Sequence, residues 1–124
     1  MIQYLIGPSL LYSDLSKLYD ESRSVISGGA DFLHLDVMDG HFVPNLTFGA
    51  PVISSLSKNI SKDIILDVHL MVTHPEKWVV DMSKAGATIF TFHIESQFNH
   101  KQTQTFICVK VCFYKACQSV AMLI

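Results

Sequence analysis

Residues 34–45 read HLDVMDGHFVPN, an imidazole and a carboxylate two positions apart inside an apolar run. In a β-strand alternate side chains share a face. Phe32, His34, Asp36 and Met38 then face one way, and Leu33, Leu35 and Val37 the other. The aliphatic face suits packing against helices, and the opposite face turns polar towards its carboxyl end. Asp39-Gly40 breaks the run, and a loop follows through Phe48.

Working outward, the same pattern recurs. Ile64–Met71 reads as a strand with Ile65, Asp67, His69 and Met71 on one face and Leu66, Val68 and Leu70 on the other. Thr88–Glu95 places Ile89, Thr91, His93 and Glu95 against Phe90, Phe92 and Ile94. Tyr4–Leu11 reads as a first strand with Leu5, Gly7, Ser9 and Leu11 together. Between these strands lie helix signals. Ser13 or Asp14 can cap a helix with Leu15, Leu18, Tyr19, Val25 and Ile26 on one stripe, stopped by Gly28-Gly29. Pro51 opens a second with Val52, Ile53 and Leu56 inward. Thr73 with Glu76 resembles a capping box before a helix carrying Trp78, Val79, Met82 and Ala85, ended by Gly86.

The order is β-α-β-α-β-α-β, and the strands are rich in Val, Ile, Leu and Phe. This predicts an α/β chain with a parallel sheet covered by helices, either a barrel or a doubly wound sheet. Such folds gather their sites at the carboxyl ends of the strands. A buried carboxylate without a partner is costly, so polar groups collected at that edge need one another or a cation. His34, Asp36 and His69 form a plausible nitrogen-and-oxygen set for a divalent metal such as Zn2+, Fe2+ or Mn2+. Each residue also has a plainer reading. A lone strand His is usually a hydrogen-bonded core residue, and Asp36 could bond backbone N–H groups. Asp67 fits either a carboxylate that orients a ligating His or a structural one. His93 reads as a support or core residue, Met38 and Met71 as core, and His41, His74 and His100 as loop or tail residues.

Bulk properties narrow the class. The 124 residues are 49% hydrophobic and 16% charged, with net charge −2, which fits a globular chain without a basic field, so nucleic acid is not the expected partner. The N-terminus lacks a basic region and a long apolar core, so no secretory signal is expected. Cys108, Cys112 and Cys117 make an odd, clustered set without a CxxC pair, read as reduced thiols of a cytoplasmic chain. Residues 106–124 are apolar enough to suggest a span. Lys110 and Lys115 argue against one, since a Lys at mid-membrane costs roughly 2.5–3.5 kcal/mol on insertion scales. Residues 96–124 contain no Asp, Glu, Gly or Pro, and turn and cap signals vanish there; one amphipathic element is the expectation.

The segments GPSLLYSDLSKL, HLDVMDGHFVPNLTFGAPV, LDVHLMVTHPEKW and GATIFTFHIES together resemble the ribulose-phosphate 3-epimerase family, in order and spacing. The allulose-phosphate 3-epimerases share much of the pattern. The resemblance covers residues 4 to about 98 and implies a TIM (β/α)8 barrel, here a partial one of about four βα units. Residues 1–98 would be the amino-terminal half and 99–124 a divergent tail. It implies interconversion of D-ribulose 5-phosphate and D-xylulose 5-phosphate in the pentose phosphate pathway. A divalent cation (Fe2+, Zn2+, Mn2+ or Co2+) would be held by two His and two Asp, of which His34, Asp36 and His69 match three. Asp36 also matches one of two acid/base carboxylates, Ser9 and His69 match substrate contacts, and Met38 and Met71 match pocket-lining methionines. The second Asp belongs to a DGG-type segment that these residues lack. The expectation is therefore a truncated chain that exposes strand edges and associates as a homo-oligomer, with a phosphorylated pentulose as small-molecule partner. A non-catalytic half-barrel, pairing with itself or with a full-length epimerase, is the alternative.

Overall fold

The structure, a computed structural model, describes residues 4–96, Cys112–Phe113 and Ser119–Leu123. Three strands run parallel: β1 (Phe32–Met38), β2 (Ile65–Met71) and β3 (Ile89–His93). Their register sets His34 opposite Asp67, Asp36 opposite His69, and His69 opposite Thr91. The polar faces therefore meet on one side of the sheet. The other side carries Leu33, Leu35, Val37, Leu66, Val68, Leu70, Phe90 and Phe92, all buried. At roughly 1.5–3 kcal/mol for each fully buried large apolar side chain, this face dominates the folding free energy.

Three helices follow the chain: α1 (Leu18–Ser27), α2 (Ala50–Asn59) and α3 (Val79–Ala85). Asp14 opens the first as expected, accepting from the Ser16 N–H at 3.0 Å, but the first turn, Leu15–Lys17, is 3-10. That turn breaks the expected stripe. Leu18 is buried and Val25 and Ile26 pack on the core, whereas Leu15 and Tyr19 face solvent. Arg23 lies over the outward Tyr19 ring at 5.8 Å. In α2, Ile53 and Leu56 point inward, and Val52 is exposed instead.

The Thr73–Glu76 capping box is absent. The N–H and hydroxyl of Thr73 both donate to Asp39, each at 2.8 Å. His74, left-handed at φ 57°, precedes a 3-10 turn at Pro75–Lys77, and α3 begins only at Val79. Trp78 is consequently half exposed, while Met82 and Ala85 are buried.

The amino-terminal segment departs from the expected strand. It runs beside β1 but forms a single parallel bridge, Ser9 to His34. Pro8 has no N–H for a ladder, and its carbonyl instead accepts from the His34 N–H at 3.1 Å. Gly7 lets the Phe32 ring lie against the backbone, since a Cβ there would overlap that ring. The last parallel strand is also shorter than expected. Ile94–Ser96 is a 3-10 turn, so Glu95 leaves the face that carries Thr91 and His93.

The described residues of the tail form two strands rather than one amphipathic element. Within it, β4 (Cys112–Phe113) pairs with β5 (Ser119–Leu123), and β5 pairs antiparallel with β3 from His93 to Ile89. The sheet order is β1-β2-β3-β5-β4. The α/β class is as read from the sequence, but only three strands are parallel and no closed barrel is present among the described residues. His100, Cys108 and Cys117 lie outside them. Within them, no helix is long and apolar enough to cross a membrane.

Candidate metal centre

The sheet brings together the three residues singled out as ligands. His34 Nε2 lies 3.2 Å from Asp36 Oδ1, and His69 Nδ1 lies 3.0 Å from the same oxygen. One donor atom from each of His34, Asp36 and His69 falls within 4.8 Å of the others. Parallel register is the cause: β1 contributes His34 and Asp36, and β2 sets His69 directly opposite Asp36. Ser9 joins them, its hydroxyl donating to Asp36 Oδ2 at 2.5 Å. Half-buried Met38 and Met71 are register partners one step beyond, at the strand ends.

Each imidazole is held from behind. Asp67 Oδ2 takes His34 Nδ1 at 2.8 Å, and its other oxygen accepts from Thr91 Oγ1 at 2.7 Å. The Asp67 carboxylate therefore fixes the proton on Nδ1 and leaves Nε2 turned to Asp36. Of its two sequence readings, the orienting one matches these contacts. His69 Nε2 lies 3.0 Å from His93 Nε2, and the two rings stack with centroids 5.0 Å apart.

The electrostatics follow. Burial alone would discourage charge on His34, but hydrogen bonds to Asp36 and Asp67 outweigh it and push the imidazole up to about 9. Burial likewise opposes the Asp36 charge, yet hydrogen bonds from His34, His69 and Ser9 hold its carboxyl far below the usual range. Asp36 is an anion that needs a positive neighbour, and either a proton on His34 or a cation among the three donors supplies one. Two imidazole nitrogens and a carboxylate oxygen suit borderline divalent ions.

A loop closes over this cluster, and the sequence reading passed over its fastenings. Asp39 Oδ1 accepts from the N–H groups of His41 and Phe42, both at 2.9 Å, while Oδ2 takes the two Thr73 donors. Slight burial would raise the Asp39 pKa, but these backbone bonds dominate and hold it well below the carboxylate range. Thr47 Oγ1 accepts from Met38 N–H at 3.0 Å and donates to the Asp36 carbonyl at 2.7 Å. Phe42 then lies against His93, ring centroids 5.1 Å apart. A DG turn followed by a Thr eight residues on was the available signal, since Asp commonly bonds backbone N–H groups two or three residues ahead. A separate groove of about 620 Å3 runs between α2 and α3. Val37 and Val72 on its floor put it on the aliphatic side of the sheet, away from the cluster.

These features define a class: a parallel α/β protein with a His–Asp–His donor cluster at the carboxyl edge of its strands. Comparison with known proteins narrows it. Residues 5–116 match the Ribulose-phosphate 3 epimerase family. A ribulose-phosphate 3-epimerase of rice, named the cytoplasmic isoform, is 57% identical over 90 residues, which cover 73% of this chain and 39% of the relative. The Candida glabrata ribulose-phosphate 3-epimerase is 44% identical over 110 residues, 77% of this chain and 45% of the relative. That of Mycobacterium bovis is 50% identical over 95 residues, 77% and 40%. The chain belongs to the ribulose-phosphate 3-epimerase family, and it spans less than half the length of these relatives.

Proposed function

We propose that residues 1–98 are the amino-terminal half of a ribulose-phosphate 3-epimerase barrel, with 99–124 a divergent tail, and that they carry one face of its active site. The observation behind this reading is the convergence of His34 and His69 on one oxygen of Asp36, with Ser9 on the other. The reaction would interconvert D-ribulose 5-phosphate and D-xylulose 5-phosphate. The C3 proton lies α to the C2 ketone, so its removal leaves an enediolate. His34 Nε2, Asp36 and His69 Nδ1 would hold a divalent cation (Fe2+, Zn2+, Mn2+ or Co2+), which supplies Lewis acidity for that negative charge. Asp36 accepts and returns the proton on one face of the planar intermediate. Its hydrogen bonds keep it ionised, and Ser9 fixes the orientation of its outer oxygen and borders the sugar. The names of the relatives favour ribulose phosphate over allulose phosphate. The name of the rice isoform supports a cytoplasmic setting.

Epimerisation needs a second acid/base group on the opposite face, and the DGG-type segment that carries it in the family pattern is missing from these residues. A half-site with one base has a specific signature. It exchanges the C3 hydrogen of one epimer with solvent faster than it inverts the carbon. Proton NMR of each pentulose phosphate in heavy water, with added Co2+ or Mn2+, tests this. Asp36-dependent exchange with little epimerisation is the expected result. No exchange above the Asp36→Asn variant would overturn the catalytic reading.

The antiparallel pairing of β5 with β3 favours a second reading. In a (β/α)8 barrel the next strand on that edge would be parallel. A chain capped this way is a non-catalytic half-barrel that associates through its remaining edge, with itself or with a longer epimerase. Sedimentation equilibrium separates the readings, since a homo-oligomer without any C3 exchange supports only the second.

A further inference from the structure

We infer that His93 is a positioning residue for His69, playing on β3 the part that Asp67 plays for His34. This rests on the cation reading above and extends it to a residue outside the donor set. The arrangement is symmetrical in purpose. Each imidazole presents one nitrogen to Asp36 and has the other engaged from the neighbouring strand. For His34 the rear partner is Asp67, one strand away on β2. For His69 it is His93, one strand away on β3, with the two Nε2 atoms 3.0 Å apart.

Two nitrogens at that distance share one proton, so one ring donates and the other accepts. If His69 Nδ1 offers its lone pair to a cation, the neutral ring must carry its proton on Nε2. His93 Nε2 is then the acceptor that holds it there. A neutral acceptor suits this place. His93 Nδ1 lies 3.5 Å from Glu95 Oε1, a carboxylate that favours the ring proton on Nδ1 and leaves Nε2 as the acceptor. The ring is also fixed in space. Phe42 packs on its far side, and Phe42 is anchored through its N–H to Asp39. Asp39 and Phe42 thus lock His93, His93 locks His69, and His69 meets Asp36. An unsupported His69 could rotate about χ2 and lose the fixed presentation of Nδ1. Partners of this kind typically set ligand affinity by about 10–100-fold.

The test uses the full 124-residue chain, with Co2+ as probe ion and its visible absorption as the readout. His93→Phe keeps a flat ring and removes the acceptor. His93→Gln keeps an acceptor on a different frame. His93→Phe should weaken Co2+ binding by about 10–100-fold and His93→Gln by no more than about threefold. A second readout needs no metal: a nitrogen–nitrogen scalar coupling across the hydrogen bond between His69 and His93 in labelled wild-type protein. Circular dichroism checks that each variant is folded. If folded His93→Phe binds Co2+ as wild type does, or if the coupling is absent, the inference falls while the metal site stands. An unfolded His93→Phe leaves His93→Gln and the coupling to decide, and a His93→Gln loss above tenfold then counts against acceptor function. If wild type and Asp36→Asn alike take up no Co2+, the metal reading itself fails and the positioning role fails with it.

Discussion

Asp67 stands opposite His34 in the β1–β2 register, and its carboxylate meets the imidazole Nδ1 at 2.8 Å. A side chain on the neighbouring strand, 33 residues further along the chain, thereby decides which nitrogen of His34 faces Asp36. Asp67→Asn keeps the shape but removes the charge that favours a proton on Nδ1. Divalent-ion affinity should drop by about 10–100-fold, with the fold intact by circular dichroism. Titration calorimetry with Zn2+ or Co2+ reads this directly. Unchanged affinity would make Asp67 a merely structural carboxylate.

A proton and a cation compete for the lone pair of His34 Nε2. With the imidazole pushed up to about 9, the proton holds at neutral pH, so ion uptake must release it. Affinity should rise by up to tenfold per pH unit as pH climbs towards about 9. Without metal the sign of stability is opposite. The folded-state pKa lies above the ordinary 6.5, so the stabilisation from charged His34 is complete below about 6.5 and lost as pH rises through about 9. Melting temperature should therefore fall across that window in metal-free protein and rise across it with saturating Zn2+. His34→Gln should flatten both slopes.

The contrast between the two sheet faces explains what the sequence made legible. Period-2 alternation in β1 and β2 separates Leu33, Leu35, Leu66, Val68 and Leu70 from His34, Asp36, Asp67 and His69 by local geometry alone. The donor cluster follows once the two strands are parallel and in register. Three things escaped the pattern. Pro8 turns an apolar run into a single bridge, because ladder formation depends on N–H groups that hydropathy does not count. Tyr19 faces water although it is apolar, because the 3-10 turn at Leu15–Lys17 resets the phase of the helix that follows, and Val52 of α2 is exposed as well. Thr73 looked like a cap but bonds Asp39, a residue 34 positions earlier, and no local signal reveals a tie of that length.

That tie makes its own prediction. Asp39 collects four donors from two loops, two on each oxygen. Asp39→Ala leaves all four to solvent and should cost about 1–3 kcal/mol, given that hydrogen bonds to a charged group contribute about 1.5–3 kcal/mol each when sheltered and less when wet. Asp39→Asn keeps one carbonyl acceptor and should recover part of the loss. Urea midpoints measured near neutral pH report both. A change within about 0.5 kcal/mol for Asp39→Ala would mean that Phe42 and Thr47 hold the loop without it.

The close approach of α2 and α3 rests on Gly86, which ends α3 at φ 104°. Ser57 of α2 reaches across, its hydroxyl donating to the Ala85 carbonyl at 2.7 Å. A Cβ on residue 86 would lie 2.7 Å from both Ser57 Cβ and Oγ. Gly86→Ala therefore faces two separable costs. The left-handed backbone costs roughly 1–2 kcal/mol for a residue with a Cβ, and the contact with Ser57 adds about 1–3 kcal/mol of overpacking. Ser57→Gly removes the contact and leaves the backbone cost. In a double-mutant cycle the pair should be less destabilised than the sum of the singles by about 1 kcal/mol or more. Strict additivity would show that the helices part freely at this point and that backbone strain alone accounts for the glycine.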